Sequence, residues 1–223
     1  MRRRRDDAIL YTLSSQLQGR LAVTRPYSLG RRRQSADATR ERIVAAARAL
    51  LATPDGARAM TIDAVARTAG VTRATVYQQI DSKQRLLGAV LDDLARERGL
   101  DRLPTVIMSG DPESARDEFI AVLVRFWAAD RDLHRHLSAL AEIDPALRDI
   151  VRERQERRRK AITVLVKRVD PTLARAPRRL AEAVDALFAL TSPTMLTQLA
   201  ERRTPAQITT IVQRLARAAI PPA

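Results

Sequence analysis

Between positions 72 and 80 the chain reads TRATVYQQI, and its polar members are the side-chain types that bond nucleic acid. Val76 and Ile80 stand one helical turn apart and form a short apolar set. That leaves Arg73, Thr75, Tyr77 and Gln78 on the exposed faces of a short helix. A guanidinium, hydroxyls and an amide are donors and acceptors for base edges and phosphate oxygens. Arg73, at the start of the helix, is placed to reach deepest into a groove, where a bidentate pair with guanine discriminates among bases by roughly tenfold or more. Thr61, Thr72, Thr75 and Gln78 are weaker candidates, for phosphate or base.

The elements that position these residues are legible around them. Thr61 is a good N-cap, and Ile62, Val65, Ala66 and Ala69 follow at i, i+3, i+4 and i+7, an apolar stripe on one helical face. Gly70 ends the stripe, because glycine takes the left-handed conformation that closes a helix, and Val71 supplies an apolar plug. Thr72 caps the next helix. Ser82 caps a third, whose stripe is Leu86, Leu87, Val90, Leu91 and Leu94, with Gly99 as its end. Upstream, residues 37–53 form a helix that packs through Ile43, Ala47, Leu50 and Leu51, stopped by Thr53-Pro54-Asp55-Gly56. Two short helices across a tight glycine turn make a helix-turn-helix, whose second helix enters the major groove.

The pattern A-G-V-T-x-x-T-V-Y followed by S-K-x-x-L-L resembles the amino-terminal DNA-binding domain of the tetracycline-repressor (TetR) family of bacterial regulators. The detailed resemblance covers residues 38–94; the rest is similar only in length and helical character. It implies that Tyr77 and Lys83 contact phosphate, setting affinity more than sequence preference. It also implies an effector pocket in the helical body, and a dimer interface built as a four-helix bundle from the last two long helices. The chain departs from the family pattern at Ile80, where an aromatic residue is frequent, and at Gln84, where glutamate is common. Both positions bear on packing and helix charge rather than on DNA.

Charge supports this reading less than its sum suggests. The net charge is +14, but residues 1–36 carry nine arginines against Asp6 and Asp7, half of the excess. Residues 37–100 hold ten basic and eight acidic side chains, so the helix-turn-helix region is nearly balanced. The leader has two clusters, Arg2 to Arg5 and Arg31 to Arg33, with Leu10, Leu13, Leu17 and Leu21 able to line a helix between them. Residues 1–36 are therefore expected to be a flexible basic arm, either a solvated tail or a source of added phosphate or minor-groove contacts. Cysteine is absent, which excludes disulfides and thiol chemistry. The longest apolar run, residues 119–129, is broken by Arg125, and the start is too polar after its arginines for a signal peptide. A soluble, cytoplasmic protein without membrane association is expected.

Beyond residue 100 the punctuation is proline after a capping residue: Asp111-Pro112, Asp144-Pro145, Asp170-Pro171, Ser192-Pro193 and Thr204-Pro205. Proline is tolerated at the first helical position, where its missing N–H would be unbonded anyway. Helices should begin at each, with a capping box between Thr204 and Gln207 and a break near residues 130–132. The fold class expected is all-α: an N-terminal three-helix helix-turn-helix head (residues 37–82) and a C-terminal helical bundle body for effector binding and dimerisation (residues 83–223), about nine helices in all.

Two late stripes, Leu180, Val184, Leu187, Thr191, Met195 and Leu199, then Ile208, Ile211, Val212 and Leu215, suit either a core or an interface. On the family resemblance, Leu187, Met195, Leu199, Ile208, Ile211 and Leu215 are the interface candidates. A dimer has its own physical motive, since one recognition helix reaches few base pairs and two-fold symmetry doubles them on a palindromic site. Met108, Phe126, Trp127 and Phe188 are first of all core side chains, and on the resemblance they are candidates to line the effector pocket. His134 and His136 stand at i and i+2, pointing to nearly opposite sides, which suits polar surface or pocket lining better than a shared metal ion. The run RERQERRRK at 152–160 reads as a solvated face paired within itself, Glu153 with Arg157 and Glu156 with Lys160. There is no glycine-rich phosphate loop, nucleophile elbow or catalytic histidine-carboxylate spacing, so neither an enzyme nor a cofactor is expected.

These observations point to a sequence-specific regulator that binds double-stranded DNA as a homodimer on a palindromic operator, a repressor responsive to an unidentified small molecule. The alternatives are an activator, a nucleoid-type binder of low specificity, or a helical ligand-binding or enzymatic body docked on DNA.

Overall fold

The computed structural model describes residues 27–220, with side chains from residue 34 onward. The expected Arg2 to Arg5 cluster and the Leu10, Leu13, Leu17, Leu21 stripe lie outside the described residues, as do the side chains of Arg31, Arg32 and Arg33. The chain divides into two units, Met1–Ala38 and Thr39–Ala223. In the described part of the first, the backbone is helical from Tyr27.

The described residues form twelve α-helices, two short 3-10 turns and no strand. In the head are α1 (Tyr27–Leu51), α2 (Gly56–Ala59), α3 (Ile62–Ala69), α4 (Arg73–Ile80) and α5 (Lys83–Glu97). A 3-10 turn at Leu100–Arg102 leads to α6 (Leu103–Met108), α7 (Pro112–Ala129), α8 (Arg131–Ile143) and α9 (Pro145–Val169). A second turn at Pro171–Arg175 precedes α10 (Pro177–Leu190), α11 (Pro193–Leu199) and α12 (Pro205–Ala219). The all-α expectation holds, but the count exceeds nine because α2 and α6 are too short to show a helical period. Helix α1 also begins ten residues before the expected start at Asp37.

Local capping explains most boundaries. Asp111 accepts the Ser114 N–H at 2.8 Å, Ser192 that of Met195 at 3.3 Å, and Thr204 with Gln207 closes the capping box from both sides. Pro171 is the exception: Asp170 caps it, but only a 3-10 turn follows. The next α-helix starts at Pro177, whose ring keeps Ala176 out of the helical region (φ −126°, ψ 74°).

Two apolar clusters organise the second unit. The first joins Ile43, Ala47 and Leu51 of α1 to Val65, Val76, Ile80, Leu87 and Leu94 of the helix-turn-helix and α5. It continues without interruption into Leu133, Leu137 and Leu140 of α8 and Leu147 of α9. The head's core is therefore shared with the body: helix α8 packs into it. The second cluster lies among α7, α9, α10, α11 and α12, and Trp127 packs against both.

Polar ties reinforce the same joint. Leu51, ending α1, offers its carbonyl to His136 Nδ1 of α8 at 2.8 Å. Gln84 Nε2 of α5 donates to Asp144 Oδ2 at 3.2 Å, the carboxylate that also caps α9 through Ala146 and Leu147. This accounts for the amide at position 84, because glutamate would set two carboxylates against each other. Gln84→Glu should accordingly cost about 1 kcal/mol, read as a lower urea midpoint at unchanged slope.

Both histidines are buried rather than on polar surface, one of their two expected places. Each uses a ring nitrogen to tie α8 to a backbone carbonyl, His136 to Leu51 and His134 to Phe126. Three arginines of the basic run on α9 depart from the expected solvated face. Arg154 binds Asp92 and the Gly88 carbonyl of α5 at 2.8 and 3.0 Å, and Arg159 binds Asp185 of α10. Arg158 donates to the Phe188 and Thr191 carbonyls at the end of α10 and lies 3.9 Å over the Phe188 ring. Burial, and Arg159 beside it, pull the Arg158 guanidinium down to about 10. These three arginines hold helices together, while Glu153, Glu156, Arg157 and Lys160 stay exposed and the ion pairs expected among them are not among those formed.

Candidate nucleic-acid interface

The interface is built by three successive caps. Thr61 Oγ1 accepts the Ala64 N–H at 3.2 Å and starts α3. Gly70 ends it at φ +65°, ψ 38°, and the Val71 N–H reaches back to the Ala66 carbonyl at 3.0 Å. Thr72 Oγ1 accepts the Thr75 N–H at 3.1 Å and lies 2.9 Å from the Thr75 hydroxyl, so these two hydroxyls serve the turn before anything else. Ser82 Oγ then accepts the Arg85 N–H at 3.2 Å and starts α5.

Helix α4 is held by its apolar pair, Val76 and Ile80, both buried in the first cluster. Ile80 thus fills the packing role at the position where an aromatic residue is common. Arg73, Tyr77 and Gln78 are exposed, Thr75 and Lys83 half-buried. Tyr77 is 41% exposed, much for a residue of its size, and it leans under the Arg73 guanidinium, 5.7 Å from ring centroid to carbon. Arg73 Nη1 lies 3.3 Å from both carboxylate oxygens of Asp63 on α3. Tyr77 first, then the Asp63 carboxylate, holds the Arg73 guanidinium above its ordinary pKa.

Two features of this surface escape sequence reading. Arg40 of α1 reaches the end of α4 and donates to the Gln79 carbonyl at 2.9 Å, fixing the recognition helix at its far end. Asp81 stands between α4 and α5 at φ +69°, ψ −48°, with the Ser82 N–H bonded to the Ile80 carbonyl at 2.7 Å. This is a tight γ-turn in the strained hand, which fixes how α5 leaves α4. Neither feature has a periodic signal: the first depends on α1 meeting α4 in space, and the second is a local turn whose positive φ falls on an aspartate rather than a glycine.

The residues expected elsewhere do not assemble into one site. Phe126 and Trp127 meet edge to face at 4.6 Å, with the His134 ring 4.8 and 4.5 Å from them. Phe188 instead lies beneath Arg158 and Arg159, and Met108 is 66% exposed at the end of α6. A cavity of about 170 Å³ opens between the second 3-10 turn, α10 and α12, lined by Asp170, Leu173, Arg179 and Glu182 among others and by none of those four. Of the six interface candidates, Leu187 and Ile208 are wholly buried in the chain's own second cluster, filling the groove between α10 and α12. Met195, Leu199 and Ile211 are half-buried, and Leu215 is 42% exposed. Among the described residues no helix is long and apolar enough to cross a membrane.

Residues 43–90 match the family model described as bacterial regulatory proteins, tetR family. Among curated proteins, none matches this chain in sequence. The fold is similar to that of a transcriptional regulator from Rhodococcus sp. Rha1, with a TM-score of 0.63 at 18% identity over 81% of this chain and 95% of that one. A TetR-like transcriptional regulator from the same source aligns with a TM-score of 0.60 at 14% identity, covering 81% and 94%. A TetR-family transcriptional regulator from Bordetella parapertussis 12822 gives 0.52 at 16%, covering 82% and 94%.

Proposed function

Because this chain belongs, through residues 43–90, to the tetR family of bacterial regulatory proteins, we propose that it is a cytoplasmic repressor that binds a palindromic operator as a dimer and is released by a small molecule. DNA-binding transcriptional regulation is the function of that family; the dimer, the operator and the effector are our reading. The observation that carries it is α4, whose apolar pair is buried while Arg73, Tyr77 and Gln78 face outward as one surface. Each subunit would lay this helix in the major groove of one half-site. Residues 37–82 would then be the reading head, residues 83–223 the body, and residues 1–36 a basic arm.

The roles divide by chemistry. Arg73 reads a base, while Tyr77 and Lys83 hold phosphate, Lys83 at the start of α5, where free N–H groups and the helix dipole also favour an anion. Thr61, Thr72, Thr75 and Gln78 line the same surface. Selection from random DNA with purified protein should yield one palindrome; recovery of unrelated sequences would leave a low-specificity binder. Arg73→Ala should then relax preference at one position of each half-site by roughly tenfold. Lys83→Ala should weaken all sequences alike and reduce the salt slope by about 1. Equal effects from the two variants would remove the division of roles.

Copies would meet through the outward faces of α10 and α12, where Leu215 and Ile211 are available in a way that Leu187 and Ile208 are not. Light scattering should give twice the chain mass at micromolar concentration, and Leu215→Glu should shift it toward monomer. An effector bound in the body near Phe126 and Trp127 would act by favouring one spacing of the two heads. Two connections serve that coupling: α5, which is continuous from head to body, and α8, which packs into the head's core.

A further inference from the structure

We propose that Asp63 is a specificity-determining positioning residue: it holds one edge of the Arg73 guanidinium so that the other edge meets a base. The inference rests on the DNA-reading role proposed above for α4. Asp63 lies in the first turn of α3, ten residues before Arg73, and the Gly70 turn brings the two together. Arg73 Nη1 is equidistant from both Asp63 oxygens, 3.3 Å from each, and beyond this ion pair the guanidinium interacts with Tyr77, so that among the described residues no carboxylate or carbonyl takes its Nε and Nη2. An arginine reads guanine through two parallel N–H groups, so one edge held and the other free is the arrangement that a base contact requires.

The position makes the carboxylate notable. Asp63 and Arg73 are both largely exposed, with side chains 56% and 60% accessible, on the surface that would face the DNA backbone. A negative charge there opposes phosphate and lowers general affinity. An unpaired arginine would spread over many rotamers and bind any nearby phosphate. Tethered to Asp63 on one side and resting on Tyr77 at 5.7 Å on the other, it is confined to one orientation. Asp63 thus exchanges sequence-independent attraction for discrimination, by fixing Arg73 and by repelling a poorly fitted backbone.

The test compares wild type, Asp63→Ala, Asp63→Asn, Arg73→Ala and the Asp63→Ala/Arg73→Ala double variant against the selected operator, its single-base variants and random duplex. Asp63→Ala should bind random duplex more tightly and lose roughly tenfold discrimination at the same position that Arg73→Ala affects, with no further loss there in the double variant. Asp63→Asn, which keeps an acceptor oxygen but not the charge, should retain part of the discrimination. An Asp63→Ala profile matching wild type would overturn the proposal. So would a changed preference at a position that Arg73→Ala leaves alone, since Asp63 would then read a base itself. If wild-type protein selects no sequence at all, the DNA-reading role fails first, and that outcome is distinct from both.

Discussion

Gly56→Ala should lower stability by about 3 kcal/mol, at the upper end of what overpacking a well-filled site usually costs. A Cβ at Gly56 would stand 2.3 Å from the Leu51 carbonyl oxygen, 2.8 Å from its carbon and 2.6 Å from His136 Nδ1. Two of these atoms are backbone at the end of α1 and have no rotamer to yield. The third is bonded to the first, so moving it exposes a buried donor and acceptor to the loss of their partner. For a domain of this size the penalty corresponds to a melting temperature lower by roughly 10 °C. Gly70→Ala is the contrasting variant. There the backbone is left-handed, at φ +65°, but nothing lies within 4 Å of an added Cβ, so the cost should be only about 1 kcal/mol. Equal melting shifts for the two would show that the Leu51, Gly56 and His136 contact is softer than its distances indicate. The site joins the end of α1 to α8, so Gly56→Ala should also weaken any coupling between body and head.

The second large effect is on pH dependence. His134 is buried against the Phe126 and Trp127 rings, and burial pulls its pKa down from 6.5 to about 4, only partly opposed by the Phe126 carbonyl and Asp130. Above pH 6.5 the imidazole is neutral in both folded and unfolded chains and contributes no pH dependence. Between 6.5 and 4 the unfolded chain takes up a proton that the folded chain refuses, so stability falls as pH falls. The loss is about 1.4 kcal/mol per unit, levelling below pH 4 near 3 kcal/mol. His134→Gln keeps a donor for the Phe126 carbonyl and removes the titration. Urea unfolding at pH 7, 5.5 and 4.5 should show wild type losing stability relative to this variant at each step. Parallel curves would mean that the ring is protonated in the folded protein, with Asp130 near enough to hold the cation.

Much of this protein follows from neighbours within four residues along the chain. Thr61, Thr72 and Ser82 cap their helices, Gly70 takes the left-handed turn, and Val76 and Ile80 face inward, all as their order predicts. A cap and its N–H are at most three residues apart, so sequence alone specifies the interaction. For the same reason the exposed set Arg73, Tyr77, Gln78 is legible before any fold is known. Tertiary structure decided what depends on distant partners. Asp63 meets Arg73 only because a turn folds α3 against α4, and Arg40 meets Gln79 across 39 residues. The sequence leaves His134 and His136 between polar surface and pocket lining and reads Arg154, Arg158 and Arg159 as a solvated face, because burial belongs to the neighbours that a helix face acquires, not to the side chain itself. The order of a three-helix head and a helical body is legible in the sequence, but not that Leu133, Leu137 and Leu140 of α8 pack into the same apolar cluster as the head. Apolar periodicity shows that a helix has a face to bury; which other face covers it is a property of the assembled chain.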